Sequence, residues 1–460
     1  MTTPEEEEHA GSKGLVRGLG PWAAASLVVG TIIGTGVFLK TAAMAAHGPS
    51  AGWILAAWGA AGLLSLFGAM TYAELGAMFP AAGGEYVYLR RGYGPFMGYL
   101  FAWNRFWIAT PGSIAAYAVG ASIFLRDATS PEVIAAIGGK HALAIGLIVV
   151  FTAITCLDVR SGGRLQAALT ALKVAMVAAL ALGALLTPSG DWGHLGGGTG
   201  FPGWSSFGVM VLAALWAYDG WNNLPMAAGE VRDPARNLPR AIVGGSLIVF
   251  LVYALVNLGY FHAVPMSEIL TSAPNVDGAP SVAAKAATQF FGDLTRVLFA
   301  AAMAFSALSA MNGSMLTGAR VPYAVATDGL APRPLARLSG ARIPITAVLV
   351  QGALACVYAT GGGFDDLTDA VVFASWMFYA LNAGSVLLLR RREPDRPRPF
   401  RVPGFPIVPA IYVALSVLLL ASTVYEKPVV STIGLGATAL GGLVYLGFYR
   451  RPRGAPPVTG

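Results

Sequence analysis

"VVGTIIGTGVFL", residues 28–39, lies inside a continuous apolar stretch, yet it sets three glycines and two threonines into the seven positions from Gly30 to Gly36. In hydrocarbon every unpaired backbone group is costly, so a membrane helix comes undone only where protein, water or a ligand takes up the freed groups. Glycine eases such a break by admitting positive φ and close approach of another group. The stretch therefore has two readings. Gly30 and Gly34, four apart, can form a small-residue face on which helices pack closely, or Gly34-Thr35-Gly36 can mark the point where the span unwinds.

The wider composition places this stretch in a bilayer. The chain is 55% hydrophobic and 12% charged over 460 residues, with mean hydropathy +0.63, too apolar for an ordinary soluble protein. Spans of about 20 apolar residues occur roughly twelve times, near 19–45, 50–79, 95–125, 141–158, 163–187, 203–231, 239–264, 292–325, 342–360, 366–390, 405–424 and 430–449. They are long and continuous, not the ten-residue alternating segments of a β-barrel. The expected class is an all-α membrane protein of about twelve transmembrane helices. Residues 1–18 carry Glu5 to Glu8, Lys13 and Arg17 with no cleavable leader pattern, and are expected to be a retained cytosolic tail, as are residues 451–460.

With the N-terminus inside, 22 of the 30 basic residues fall on cytosolic segments, as the positive-inside rule requires, so both termini are expected in the cytosol. The net charge of +7 is accounted for by loops beside membrane segments, which leaves no case for nucleic acid. Cys156 and Cys356 sit in apolar spans without ligand spacing and read as small core residues. No HExxH, GxxxxGK[ST] or GxSxG is present and the five histidines are scattered, so nothing points to an enzyme, a metal or a cofactor.

One other span is interrupted in a comparable way: "LAALWAYDGWNNLPM", residues 212–226, in the sixth. An offset of five spans threads the two in opposite directions, as an inverted repeat of five helices plus five requires. The repeats are expected over 19–187 and 203–392, with two further helices over 405–450. The connection "RRREPDRPRPFRVPGFP", residues 390–406, is basic, proline-rich and cytosolic, and the polar outer segment 265–291 is expected to pack over an outward vestibule.

A half-helix beginning after Gly36 would turn free N–H groups and its positive end toward an anion such as a carboxylate. Asp219, near mid-membrane, reads either as the cap of a second half-helix or as a partner for a cationic group on a substrate. Trp216 and Tyr218 read as aromatic walls or as core packing. Lys173 lies nine residues past Arg164, about 14 Å along a helix and close to the middle of a core about 30 Å thick. It is expected to face inward onto carbonyls or an acid, in a bracing or a coupling role. Arg105 has no supporting motif; a shallow position or an ion pair with Glu74 is expected rather than a substrate role.

The motifs "VGTIIGTGVFL", "TYAELGAMFPAAGGEYVYL", "WAYDGWNNLPMAAGEVRDPARNLPRAI" and "RREPDRPRPFRVPGFPIVP" together resemble the L-type amino acid transporters of the amino acid, polyamine and organocation superfamily, over nearly the whole chain. The resemblance implies a LeuT-type fold with broken helices 1 and 6, and alternating access of L-amino acids to a central site. It implies that the amides of Gly34, Thr35 and Gly36 hold the substrate carboxylate, that the carbonyls of Ile32, Trp216, Ala217 and Asp219 receive its ammonium, and that Trp216 is a gate. Lys173 matches a lysine that stands in for sodium beside Gly30, which implies sodium-independent transport. Exchange is the expected mode, with proton-coupled uptake and a flux-free amino acid sensor as alternatives. The expected site of action is the inner membrane of a bacterial-type cell. Animal members are tied to a heavy subunit by a cysteine between helices three and four, which "RDATSPEVIAAIGGK", residues 126–140, lacks; no such partner is expected.

Overall fold

A backbone in hydrocarbon must satisfy its own hydrogen bonds, and this chain does so by folding almost entirely into helices. The computed structural model describes residues 17–449, apart from 49, 130, 158–161, 197–199, 273–279 and 341. Residues 1–16 of the expected N-terminal tail, the expected C-terminal tail 451–460 and residues 273–279 of the segment 265–291 thus lie outside the described residues. In chain order the principal helices are α1 (Pro21–Ile32), α2 (Gly36–Ala45), α3 (Ala51–Met78), α4 (Glu85–Tyr93), α5 (Pro95–Asn104), α6 (Thr110–Ala128), α7 (Gly139–Leu157), α8 (Gly162–Leu186) and α9 (Trp204–Tyr218). They continue with α10 (Asn223–Met226), α11 (Pro234–Ala263), α12 (Met266–Leu270), α13 (Val282–Gly318), α14 (Arg320–Thr327), α15 (Ile345–Gly361), α16 (Phe364–Arg392), α17 (Ile407–Glu426) and α18 (Pro428–Phe448). Among the described residues nine helical stretches are long and apolar enough to cross a bilayer, and the apolar helices Thr170–Leu186, Trp204–Tyr218 and Ile345–Gly361 complete the bundle.

The third span, α5 and α6 joined by a π-helical turn over Arg105–Ala109, is 89% buried in its apolar window, whereas α7 and α18 are only 22% buried. The former is the axis of the bundle and the latter are its lipid-facing staves. Val417, Leu418, Ile433 and Leu443 are each more than half exposed, an apolar girdle that only lipid can cover. Prolines open α5, α11 and α18 at the first turn, where a missing N–H costs nothing.

Two spans are broken near the centre. The first loses helical geometry over Ile33–Thr35 and resumes at Gly36; the sixth ends at Tyr218, turns through Asp219–Asn222 and continues as the four-residue α10. The interruption of span one is therefore one residue earlier than the sequence suggested, with Gly36 as the first residue of α2. A Cβ on Gly36 would lie 2.4 Å from Ala217 Cα, so this glycine serves the crossing of α2 on α9. Gly30 is inside α1 and Gly34 is in the break, so the two do not share a helix face and the small-residue packing pair does not form. Span eight begins at Val282, ten residues before its apolar core suggested. At the outer segment, α12 packs against α2.

The ends of several helices are fastened by charge. Glu74, fully buried on α3, accepts from Arg390 Nε (2.9 Å) and Nη2 (2.7 Å) and from the Val402 amide (2.7 Å), with Arg398 Nε at 3.6 Å. Arg390 also stacks 3.8 Å from the Phe405 ring. The proline-rich connection is thus laid onto α3, and Glu74 has no place for Arg105; that expected ion pair is absent. The start of span one is bonded to the end of span six, Leu19 donating to Glu230 O and accepting from Arg232 N, both at 2.9 Å. Arg320 in turn pairs with Glu230 at 3.0 Å.

Removing one member of a buried charge set strands the others, at a cost of about 3–5 kcal/mol. Glu74→Ala is expected to lower stability by that order, read as denaturant unfolding of the purified protein in detergent.

Candidate functional site

The two breaks meet back to back. Gly220 has φ 127°, and a Cβ there would lie 2.9 Å from Ile32 N and from Thr31 C. Only glycine adopts that conformation freely and allows backbone to approach backbone so closely. Thr31 Oγ1 donates to Gly220 O at 3.0 Å and bonds its own helix through Leu27 O and Val28 O.

The carbonyls of the first break are taken up by side chains from three other spans. Lys173 Nζ, 1% exposed, donates to Gly30 O (2.8 Å) and Ile33 O (3.0 Å). Ser306 Oγ donates to Ile33 O at 3.2 Å, and Tyr253 OH to Ile32 O at 3.1 Å. The amides of the break are treated differently: among the described residues no acceptor is found for the N–H groups of Gly34, Thr35 and Gly36. They cap the N-terminal end of α2, where the helix dipole adds positive potential. Amides at a helix N-terminus are the kind of group that anions bind.

Around these amides the walls are aromatic. Trp216 Nε1 donates to Thr35 Oγ1 at 3.2 Å, and its ring lies 5.2 Å from Tyr117 and 6.4 Å from Phe364. A Cβ on Gly34 would lie 2.7 Å from Tyr117 Cε1, so Tyr117 covers the break from span three. Tyr218 instead packs on Tyr253 and Trp58, away from the amides. Beyond the break along α2, Lys40, 1% exposed, donates to Asp365 Oδ1 and to Thr368 Oγ1, both at 2.6 Å, and lies 5.1 Å from the Phe364 ring. Asp369 is 3.8 Å from Lys40 and also pairs with Lys427.

Asp219 closes α9, its amide donating to Trp216 O at 3.3 Å. It does not cap the second half-helix: that position belongs to Asn222, with no side-chain cap bond. The Asp219 carboxylate accepts from Tyr379 OH at 2.8 Å, and that hydroxyl accepts from Asn222 Nδ2 at 2.7 Å. Arg105 Nη2 donates to Asn223 Oδ1 at 2.8 Å, and the guanidinium interacts electrostatically with Tyr379, Glu85 and Asp219. Glu85 opens α4, beyond the end of span two, and accepts from Tyr72 OH at 2.8 Å, backed by Asn382 Nδ2 on the same hydroxyl at 3.0 Å.

The sequence singled out Gly30, Ile32, Gly34, Thr35, Gly36, Lys173, Trp216, Ala217 and Asp219, and all lie at or beside the paired breaks. It passed over Tyr253, Ser306, Thr31, Asn222 and Tyr379. A hydroxyl or amide within an apolar span needs a partner, and that signal was available for Tyr253 and Ser306. Cys156 and Cys356 are half-buried free thiols remote from these groups.

The family model for amino acid permeases matches residues 19–445. The chain belongs to the amino acid permease family. The permease is 32% identical to the b(0,+)-type amino acid transporter 1 of Mus musculus over 91% of its own length and 85% of that protein. It is 31% identical to the serine/threonine exchanger SteT of Bacillus subtilis (strain 168) over 96% and 99% of the two chains. It is 30% identical to the large neutral amino acids transporter small subunit 2 of Mus musculus over 97% and 84%. These similarities agree with the motifs in making the permease an L-type member of the amino acid, polyamine and organocation superfamily.

Burial pushes the Glu85 carboxyl of the permease up to about 7, although Arg105 and the Tyr72 hydroxyl pull it down. The folded protein then holds a proton that the unfolded chain releases near the ordinary value of 4.5, so stability falls as pH rises between those limits and stays lower above them. Glu85→Gln is expected to flatten that fall, measured as thermal unfolding in detergent at pH 5 and pH 8.

Proposed function

We propose that the permease exchanges L-amino acids across the inner membrane by alternating access, independently of sodium. The observation that carries this reading is the asymmetry at the first break, where every carbonyl from Ile32 to Ile33 has a side-chain donor and the amides of Gly34, Thr35 and Gly36 have no acceptor among the described residues. A carboxylate fits those amides. The ammonium of the same substrate then faces the carbonyl edge formed by Ile32, Trp216, Ala217 and Asp219, since a zwitterion needs donors and acceptors a few ångströms apart. The names of the relatives, an amino acid transporter and a serine/threonine exchanger, favour transport over sensing.

Lys173 accounts for the sodium independence. Its ammonium ties Gly30 O to Ile33 O across the break, which is work that a bound metal cation would do. Trp216, held to Thr35 on the outer side of the amides, serves as the gate. Outward opening then requires α2 and α9 to part from α16, breaking the Lys40 contacts to Asp365 and Thr368; inward opening requires Leu19 to leave Glu230 and Arg232. The halves that move are the five-helix repeats 19–187 and 203–392. Both termini lie in the cytosol, and no disulfide-linked heavy subunit takes part.

Purified protein in liposomes is expected to release internal labelled amino acid only when amino acid is supplied outside, at the same rate in sodium and in choline chloride. Release that needs sodium, or none under any gradient, overturns the reading. Lys173→Ala is expected to weaken apparent affinity by about 10-fold or more, as loss of a charge-assisted bond implies, with unfolding temperature in detergent as the control for folding.

A further inference from the structure

A groove of about 370 Å³ opens on the side of the bundle, and none of the residues of the paired breaks lines it. Its walls are Trp103, Phe106 and Trp107 of the third span, Leu335 of the short turn Arg333–Ala336, Val350 of α15 and Tyr449 just after α18, and they are almost wholly apolar. Clefts from about 300 Å³ upward are large enough for a ligand. Trp107 is 37% exposed, so the groove is open to whatever surrounds the bundle. One end of it is charged. Pro332, Pro334 and Leu335 line the groove, which sets Arg333 within the lining turn, and Arg337 follows that turn directly. Both arginines are exposed, and neither side chain has a hydrogen bond or ion pair among the described residues. Asp328, the only acid between residues 328 and 344, is already held by Arg90 and Tyr86. Because α15 starts at Ile345, Val350 lies about 8 Å along its axis from that start. The positive end of the groove is therefore at the membrane edge of span nine, and its apolar end reaches into the hydrocarbon.

We propose that this groove is a binding site for one anionic phospholipid, its phosphate at Arg333 and Arg337 and an acyl chain along Trp103, Trp107 and Val350. An acyl chain alone suits the walls and leaves the arginines unmatched, and a free phosphate leaves the aromatic walls uncovered. An amphiphile with a negative head satisfies both ends. A zwitterionic head brings its own cation and gains less from the arginines. Each basic side chain beside an anionic membrane surface strengthens attachment about 5-fold, so two give on the order of 25-fold. Tryptophan and tyrosine rings suit this level of the membrane, where an apolar body and a polar edge both find partners. The lipid would join span three, the turn after α14, α15 and the end of α18, which are far apart in sequence, so its binding stabilises the folded bundle by mass action.

The test titrates the purified full-length protein in detergent with dioleoyl phosphatidylglycerol and with dioleoyl phosphatidylcholine, reading bound lipid by native mass spectrometry and the unfolding temperature alongside. Phosphatidylglycerol is expected to bind at least about 10-fold more tightly and to raise the unfolding temperature. Arg333→Gln with Arg337→Gln should bring its affinity down to that of phosphatidylcholine. Val350→Trp, which fills the groove and keeps both arginines, should weaken it about 10-fold as the acyl chain loses apolar contact. Equal affinities of the wild type for the two lipids overturn the proposal without any variant. So does a folded double variant, or a folded Val350→Trp protein, whose affinity for phosphatidylglycerol is unchanged. A photoactivatable phosphatidylglycerol locates the lipid independently. Cross-links confined to residues 99–107, 330–350 and 444–449 support the site, and cross-links spread equally over the exposed face of α17 assign the lipid to the general surface and overturn it.

Discussion

A helix broken inside a bilayer must have its freed backbone groups taken up, and the interior of this permease is organised around that constraint. On the acceptor side of the first break, Lys173 and Ser306, from spans five and eight, donate to Ile33 O and Tyr253, from span seven, donates to Ile32 O, while Thr31 reaches across to the carbonyl of Gly220 in the second. The donor side has no such closure among the described residues. On the proposed reading, the groups that the side chains leave unsatisfied are donors, which suit a carboxylate.

Buried charge gathers in separate clusters that join different parts of the bundle. Glu74 with Arg390 and Arg398 joins α3 to the segment after α16, binding parts that stay together. Lys40 with Asp365, Asp369 and Lys427 joins a half-helix of the broken first span to α16 and α18, across the outer route. Arg105 is bonded to Asn223, Asp219 to Tyr379 and Glu85 to Tyr72, which links the third, sixth and tenth spans and ties α4 to α3. On the proposed cycle, the Lys40 set would come apart on opening, whereas the Glu74 set would not.

Much of the architecture was legible because membrane burial demands long apolar runs, and because Gly34-Thr35-Gly36 and Asp219-Gly220 stand out within them. Lys173 was legible for the same reason: an ammonium at mid-span has few places to go, and the carbonyls of an interrupted helix are one of them. Arg105 was misread because Glu74 is an unpaired acid in the sequence and only the folded chain brings Arg390 and Arg398 back over it, some three hundred residues later. Of the two readings of Asp219, the cap fails because Asn222 holds that position on the four-residue α10 and Tyr379 claims the carboxylate. Tyr253 and Ser306 look like ordinary members of apolar spans until the break they serve is in view.

The ammonium of Lys173 is held on a four-carbon stem against Gly30 O and Ile33 O. A diffusing cation would occupy the same place only as often as its concentration outside allowed, and would leave on the far side. A tethered one has an effective concentration fixed by the length of its stem. The broken helix is therefore braced equally in fresh water and in brine, and on both faces of the membrane. On the proposed sodium-independent exchange, the return journey carries no ion, and direction falls to the amino acid gradients.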